Sequence, residues 1–513
     1  MFEIQYLGHA GWSIKNNGIK ILCDPWLNPD GTFFSSWLQF PRIDNVDIKE
    51  ITKDVDVLYI SHSHADHYDP WTLQKINKDV QVCIPKFKDF SLKYELKSMG
   101  FTNILEMEED DTYFKKNLKI KIFKEEDYLD KDSCIYVEDE HSTILNLNDC
   151  HLKPEKFKEM KQIDVLMLQC SSALWWPCVY NYEEEKMNSV CEKKREGVLK
   201  RSVNYAKWTK AKNIIPCAGP PIFSGVEESR WNHERAKKHN PFPLMDEGVQ
   251  YIKDSGHNAH LVIPNDIIKL DKKQIEFLCD TEESHKIYQN VDEYINKYVK
   301  EKRLELKKGV ATVEIKSGYG AEDLLRYRTI QVVKNSKIYK NKLNYPILFE
   351  IDGNKWVVNF SEDEERCFKK YENEDCRYHF SFDGALLAHI LGNKFIDFDY
   401  YFLSLKFKAY RRPDEYDDIL FALLRNMDNT RLRISESLYN QRVSTEENFI
   451  LEHKGDKYKV QKYCPHMLAD LETTGFVDEN DNLVCPLHNW KFNLKTGECK
   501  NSKKRRLCVE RLK

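Results

Sequence analysis

The chain contains no run of eighteen or so apolar residues, so no membrane-spanning helix is expected. Its first stretch, MFEIQYLGHAGWSIKNNG, has no basic region followed by an apolar core. It reads as a strand and a turn, and no secretory signal is expected. Charge of one sign is also missing: the net charge of −4 gives no reason to expect nucleic acid or an acidic membrane surface as partner. There are no internal repeats and no low-complexity segments. Of the fifteen cysteines, all but Cys464 and Cys485 are scattered singly in a Lys-rich chain. That usage argues against a disulfide framework and for reduced thiols in the cytoplasm.

What is present is a soluble globular balance, 41% apolar and 32% charged, over 513 residues. This length suggests about three domains at roughly 150 residues each. Up to residue 280, short apolar segments such as IKILCDP, VDVLYIS, VQVCIP, LKIKIF and STILNLND read as strands. They alternate with helical stretches such as YDPWTLQKI and EGVLKRSVNYAKWTKA, which predicts a layered α/β domain over 1–280. Residues 281–309 read as a charged helical connector. Residues 310–434 mix strands (YPILFEIDGNKWVVNF) and helices (FDGALLAHILG, DEYDDILFALLRNM) in an α+β module. Residues 435–513 are rich in short strands and turns and read as all-β. Within the last, KKRR at 503–506 reads as a solvated turn before a final strand, LCVERL.

Two stretches carry chemistry. The first is Cys464-Pro-His466, then eighteen residues, then Cys485-Pro-Leu-His488. A [2Fe–2S] cluster with thiolates on one iron and imidazoles on the other needs this two-plus-two supply. Spacing alone also allows a structural zinc site of two Cys and two His. Pro465 and Pro486 stiffen both loops, and NWKFNLKTGECK follows as an aromatic strand and a Thr-Gly turn. With these flanks the segment resembles a Rieske domain over 435–513. Met467, Leu468 and Ala469 follow His466, and Leu487 precedes His488, so neither loop has a spare cysteine. The resemblance is therefore to the ferredoxin- and oxygenase-type cluster and not to the quinol-oxidising type.

The second stretch is VLYISHSHADH, a buried-type strand running into a loop. His62 and His64 are two apart, so in extended chain they face the same way and can share a metal ion. Asp66 and His67 come from the following turn and can hold a second ion. Three imidazoles and a carboxylate within six residues exceed what a solvated turn requires. His9 and Asp24 precede the motif, and Asp149 at the end of STILNLND is placed for a bridging carboxylate. Together these resemble a metallo-β-lactamase fold.

That resemblance implies a third histidine between the motif and the bridging aspartate, yet residues 68–140 contain none. His141 lies at the far end of its strand, about 26 Å from Asp149 at roughly 3.3 Å per residue. Glu125, Glu126 or Asp127 could supply an oxygen ligand instead. Cys217 stands where a late histidine would be, and His151 is a spare candidate. Few histidines and many carboxylates suit iron better than a closed zinc cage. Zinc is the alternative and has no redox use for electrons.

With both motifs present, and with matching segment order over about residues 1–225, the chain resembles the CMP-N-acetylneuraminate hydroxylase family. It departs in carrying the Rieske segment last and not first. The middle module resembles a sterol-carrier-like fold, with LLAHILG as helix core. The resemblance implies an oxygenase that draws electrons from an external donor (a ferredoxin, a cytochrome b5-like protein or a flavin reductase). Electrons would pass from a [2Fe-2S] cluster on Cys464, His466, Cys485 and His488 to one or two irons on His62, His64, Asp66, His67 and Asp149. With O2 as co-substrate, a small polar molecule, such as a sugar nucleotide, would be hydroxylated. The competing expectations are a metal-dependent hydrolase with a redox-sensing cluster, and an electron carrier whose N-terminal domain has lost its metals. Lys193, Lys194, Arg195, Lys200 and Arg201 read as the wet face of a helix, with a phosphate contact as the alternative.

Overall fold

The computed structural model describes the chain except residues 126–131, 236, 309–318, 394–395, 444–446, 466–470, 473–474, 486–489, 503–504 and 513. Glu126, Asp127, His466 and His488 therefore lie outside the described residues. The chain forms two compact units, the first Met1–Glu125, Asp130–Pro177 and Tyr182–Thr312, the second Val313–Lys513 with Glu126–Leu129 and Cys178–Asn181.

Alternating apolar residues build the first unit as four layers. One sheet has the order Gln274–Leu278, Ile267–Asp271, Phe2–Gly8, Gly11–Asn16, Ile19–Cys23, Val57–Tyr59, Gln81–Pro85 and Ile104–Met107. The other runs Asn213–Cys217, Val165–Gln169, Thr143–Asn146, Ser133–Glu138, Leu118–Lys124 and Tyr113–Lys115. Period-two alternation sends successive side chains to opposite faces. Ile135 and Val137 enter the core between the sheets, with Ile21, Val57, Tyr59 and Cys83. Cys134 and Tyr136 turn outward to meet Val203, Ala206, Met245 and Val249 of the helices Glu184–Thr209 and Met245–Asp254. Leu22, Leu58 and Val82 do the same on the other side, against Leu73, Leu92 and Leu96. The helices Thr281–Gln289 and Val291–Lys308 pack Ile287, Ile295, Tyr298 and Val299 against Leu38, Phe40, Ile222 and Leu244 of this unit.

Parallel pairing decides where function can sit. Ile19–Cys23, Val57–Tyr59 and Gln81–Pro85 are parallel in one sheet, and Thr143–Asn146, Val165–Gln169 and Asn213–Cys217 in the other. Their carboxyl ends bring loops from distant parts of the sequence together, where ligands gather in open α/β sheets.

In the second unit a five-stranded sheet, Phe368–Lys370, Asn354–Val358, Ile347–Ile351, Tyr378–Phe382 and Phe407–Arg411, packs rings such as Phe380, Phe382, Phe402, Phe407 and Phe421 together. Leu387, Ala388, Ile390 and Leu391 of LLAHILG are buried in a helix, as core residues. Beyond residue 447 only strands are regular among the described residues. There are two three-stranded sheets, Asn448–His453/Asp456–Gln461/Val509–Leu512 and Phe476–Val477/Asn482–Cys485/Trp490–Asn493.

Two expectations about basic residues need correction. Arg195 is not on a wet face. It is buried, its Nε 2.9 Å from Glu247 Oε1 and its Nη1 2.8 Å from the Asn240 carbonyl. Arg505 of KKRR is not solvated either; it is ion-paired with the buried Asp418 and lies over the Tyr439 ring. In both cases a carboxylate far along the chain offsets the desolvation of the guanidinium.

Candidate metal centre

Val57–Tyr59 ends by handing the chain into Ser61-His62-Ser63-His64, and the turn closes with His67 N–H on the His64 carbonyl at 3.0 Å. Asp24, just past the neighbouring parallel strand, fixes the start of this loop. Its Oδ1 accepts from Ser61 N at 2.8 Å, and its Oδ2 from Ser61 Oγ at 2.7 Å. Asp24 also lies 3.0 Å from His67 Nδ1. That contact leaves His67 Nε2 to point the other way, the arrangement by which a carboxylate orients a metal-binding imidazole.

His67 Nε2 lies 3.3 Å from Asp149 Oδ1 and 3.6 Å from Asp66 Oδ2. His62 Nε2 and His64 Nδ1 are 2.8 Å apart, and the His62 and His67 rings have centroids 4.2 Å apart. His9, at φ 47° in the tight turn after the first strand, places Nε2 2.9 Å from Asp66 Oδ2. Two sets of three groups thus have ligand atoms within 4.8 Å of one another: His9, Asp66 and His67, and His62, His67 and Asp149. His64 joins the second through His62.

The fit to a cation can be tested on unsatisfied atoms. Asp66 Oδ1, His67 Nε2 and Asp149 Oδ1 are buried without a hydrogen-bond partner, and so is His151 Nε2. A buried polar atom left this way costs about 1–3 kcal/mol. Three such atoms converging from three loop positions are what a metal ion would satisfy, so the residues fit one. Three titration directions agree, and His67 is the exception: burial would lower its imidazole, but Asp149 and Asp66 raise it. Burial alone would raise the Asp66 and Asp149 carboxyls, but His67 and its neighbours hold both well below the usual carboxylate range. Burial lowers the His62 imidazole, aided by His67 and His64, which favours the neutral form that ligates metals.

The oxygen-rich side of the site is occupied from the strand pair Leu118–Lys124 and Ser133–Glu138. Asp132 Oδ1 lies 3.3 Å from His62 Nδ1. Glu125 N–H bonds the Asp132 carbonyl at 2.9 Å, and its carboxylate accepts from His151 N at 3.1 Å. Glu125, expected as an oxygen donor, therefore borders the cluster through His151. Asp132, Ser61 and Asn148, whose Nδ2 lies 3.4 Å from Asp24 Oδ2, were not singled out in the sequence. Asp132 stands directly before SCIYVE, so the pairing of that strand with LKIKIF was the available signal. His141 is exposed and bonded locally to Asp139, away from the site, as its strand position implied. Cys217 is sealed in the inter-sheet core.

In the second unit, Cys464 and Cys485 are both buried in one apolar cluster with Tyr458, Val460, Leu483, Trp490 and Phe492. Each lies at the start of its Cys/His loop. Thiols so placed fit the sulfur half of a cluster site, the imidazole half falling on residues outside those described. Among the described residues no disulfide joins any cysteine.

Comparison with known proteins agrees with this division. Residues 3–194 match the β-lactamase superfamily domain, 323–441 an Rv3818-like, SCP2-like domain, and 427–509 the Rieske [2Fe-2S] domain. A protein of Mycolicibacterium smegmatis described as a Rieske 2Fe-2S iron-sulfur protein is 28% identical, over 99% of this chain and 100% of its own. Cytidine monophosphate-N-acetylneuraminic acid hydroxylase of Danio rerio is 26% identical over 47% of this chain and 42% of its own. Among solved structures, CmlA, a diiron β-hydroxylase from Streptomyces venezuelae, aligns at 15% identity and a TM-score of 0.37, over 52% of this chain and 54% of that one. The chain therefore carries an N-terminal metallo-β-lactamase-like domain, an SCP2-like middle domain and a C-terminal Rieske domain.

Proposed function

We propose that the protein is a Rieske-dependent monooxygenase that hydroxylates a small polar substrate at an iron site in its metallo-β-lactamase-like domain. The observation that carries this reading is the company the buried His/Asp cluster keeps: a Rieske domain on the same chain. Hydrolysis has no use for electrons, whereas O2 activation needs them. The partial likeness to a sugar-nucleotide hydroxylase supports a sugar nucleotide as substrate.

In this reading His62, His64, Asp66, His67 and Asp149 would hold one or two irons, with zinc as the alternative. Cys464, His466, Cys485 and His488 would hold the [2Fe-2S] cluster. Bound iron would supply O2 activation with electrons from an external donor. The chain's own residues do the rest. Asp24 keeps a proton on His67 Nδ1 and so turns Nε2 inward. Ser61 Oγ, 2.9 Å from His62 Nδ1 and 2.7 Å from Asp24 Oδ2, ties the first imidazole to the same carboxylate. His9 holds Asp66 Oδ2, leaving Oδ1 for the site. Trp26 and Trp37, edge-on to the His9 ring at 5.2 and 6.3 Å, exclude water from that side.

Asp66→Ala tests the reading. The variant should keep the visible and electron-paramagnetic signatures of the cluster while losing reductant-driven O2 uptake. Undiminished O2 uptake in the variant would exclude this site as the place of reaction. Hydrolytic turnover that needs no reductant would favour the metallo-hydrolase instead.

A further inference from the structure

The long helix Glu184–Thr209 carries five basic residues that the sequence placed on its wet face, and they separate into three kinds. Lys193 and Lys200 are exposed, with Lys194 half-exposed over the Trp176 ring, and Arg195 is locked to Glu247. Arg201 is different. It is half-buried, and its Nη2 donates to Gln169 Oε1 at 3.0 Å. Gln169 ends the parallel strand Val165–Gln169, and its own N–H bonds the Asn148 carbonyl at 2.8 Å, one residue before Asp149. One turn further along the helix, Tyr205 donates its hydroxyl to the Leu152 carbonyl at 3.1 Å. The helix is thus pinned to the loop bearing Asp149 and His151, and Arg201 is held at the edge of the candidate metal centre.

Among the described residues, only Gln169 takes a hydrogen bond from this guanidinium. Arg has five N–H donors in a rigid fork and stays charged. Among the described residues the hydrogen bond it makes goes to Gln169, and none of its other nitrogens is sealed from solvent without a partner. Glu125 and Asp149 are within electrostatic reach and help keep the charge, although burial opposes it. Neither forms an ion pair with it: Asp149 is turned to His67, and Glu125 to His151. Among the described residues of the adjoining loops, Lys124 is engaged with Glu108 at 3.3 Å and Lys156 with Glu109.

We propose that Arg201, held at the edge of the candidate metal centre, receives a carboxylate of the substrate, so that the substrate is a carboxylic acid. This rests on the reading of that centre as the substrate site. A planar guanidinium edge matches a carboxylate with two parallel N–H···O bonds. One guanidinium, with Lys124 and Lys156 turned to glutamates, suits a single negative charge better than a phosphate dianion. Gln169 is the positioning residue that fixes the guanidinium plane.

The test uses purified full-length holoprotein and three probes, benzoate, benzamide and methylphosphonate, with binding read by calorimetry and ligand-observed NMR. Benzoate should bind the wild type, and Arg201→Gln should weaken it by about tenfold or more. Arg201→Lys keeps the charge but not the fork, and should fall between. Benzamide should not bind, and methylphosphonate should bind more weakly than benzoate. Metal content and cluster absorption should match the wild type in both variants. The proposal is overturned if wild type does not bind benzoate, if Arg201→Gln binds it undiminished, or if benzamide binds equally. Preference for methylphosphonate overturns the carboxylate in favour of a phosphate. Should Arg201→Gln not fold, Arg201→Lys decides alone, and wild-type affinity in it overturns the fork. No arm needs O2 or reductant, so failure of the oxygenase reading would appear separately, as absent reductant-driven O2 uptake with benzoate binding intact.

Discussion

Asp24 borders the candidate centre, but its oxygens are spent on Ser61, His67 and Asn148. Its role is orientation, and the consequence can be measured. Asp24→Ala should lower metal affinity of the first unit by about 10–100-fold, the range for removing such a partner. Titration of metal-depleted protein with iron or zinc checks this, and the Rieske absorption should not change. At this scale the sequence was generous for His62, His64, Asp66 and His67, because four chemically loud residues share one turn. It was silent on Asp132, whose place beside His62 depends on a strand seventy residues away, and on the burial of Arg195, which depends on Glu247 fifty-two residues later.

Elements fold where local pattern and long-range pairing agree. The strands Ile19–Cys23, Val57–Tyr59 and Gln81–Pro85 were legible as apolar runs ending in Asp, Ser or Pro. Their common edge was not, since parallel register is set by contacts between segments far apart in sequence. In the second unit the helix Asn429–Val443 shows the same dependence through Glu436. Its buried carboxylate accepts Ser336 Oγ at 2.6 Å and the N–H groups of Lys337, Ile338 and Tyr339 at 2.8–3.1 Å. Burial would raise this carboxyl, but those donors hold it below the usual glutamate range. Because the folded pKa lies under the unfolded one, the stabilisation is complete above the unfolded value and fades as pH falls through the folded value. Glu436→Gln should cost about 1.5–3 kcal/mol at neutral pH, as for hydrogen bonds to a charged group. Denaturant melts at descending pH should show the gap to wild type closing on the acid side. A gap that does not change with pH would mean that the carboxylate's charge is not what the turn uses.

The whole molecule joins a layered α/β unit to a unit in which an SCP2-like fold and a Rieske fold share an interior, Tyr416 of the former packing against the cluster core of the latter. That three kinds of domain follow one another was readable from strand and helix rhythm. The proposal for what one half does for the other comes from chemistry: an electron-transfer cluster has no part in hydrolysis itself, and it would suit an iron that activates O2. The most direct measurement of that claim is iron, zinc and acid-labile sulfide in protein purified without oxygen. A [2Fe-2S] cluster contributes equal iron and sulfide. The account predicts iron in excess of sulfide with little zinc, the excess disappearing in Asp66→Ala. Iron equal to sulfide, with zinc alongside, would contradict it.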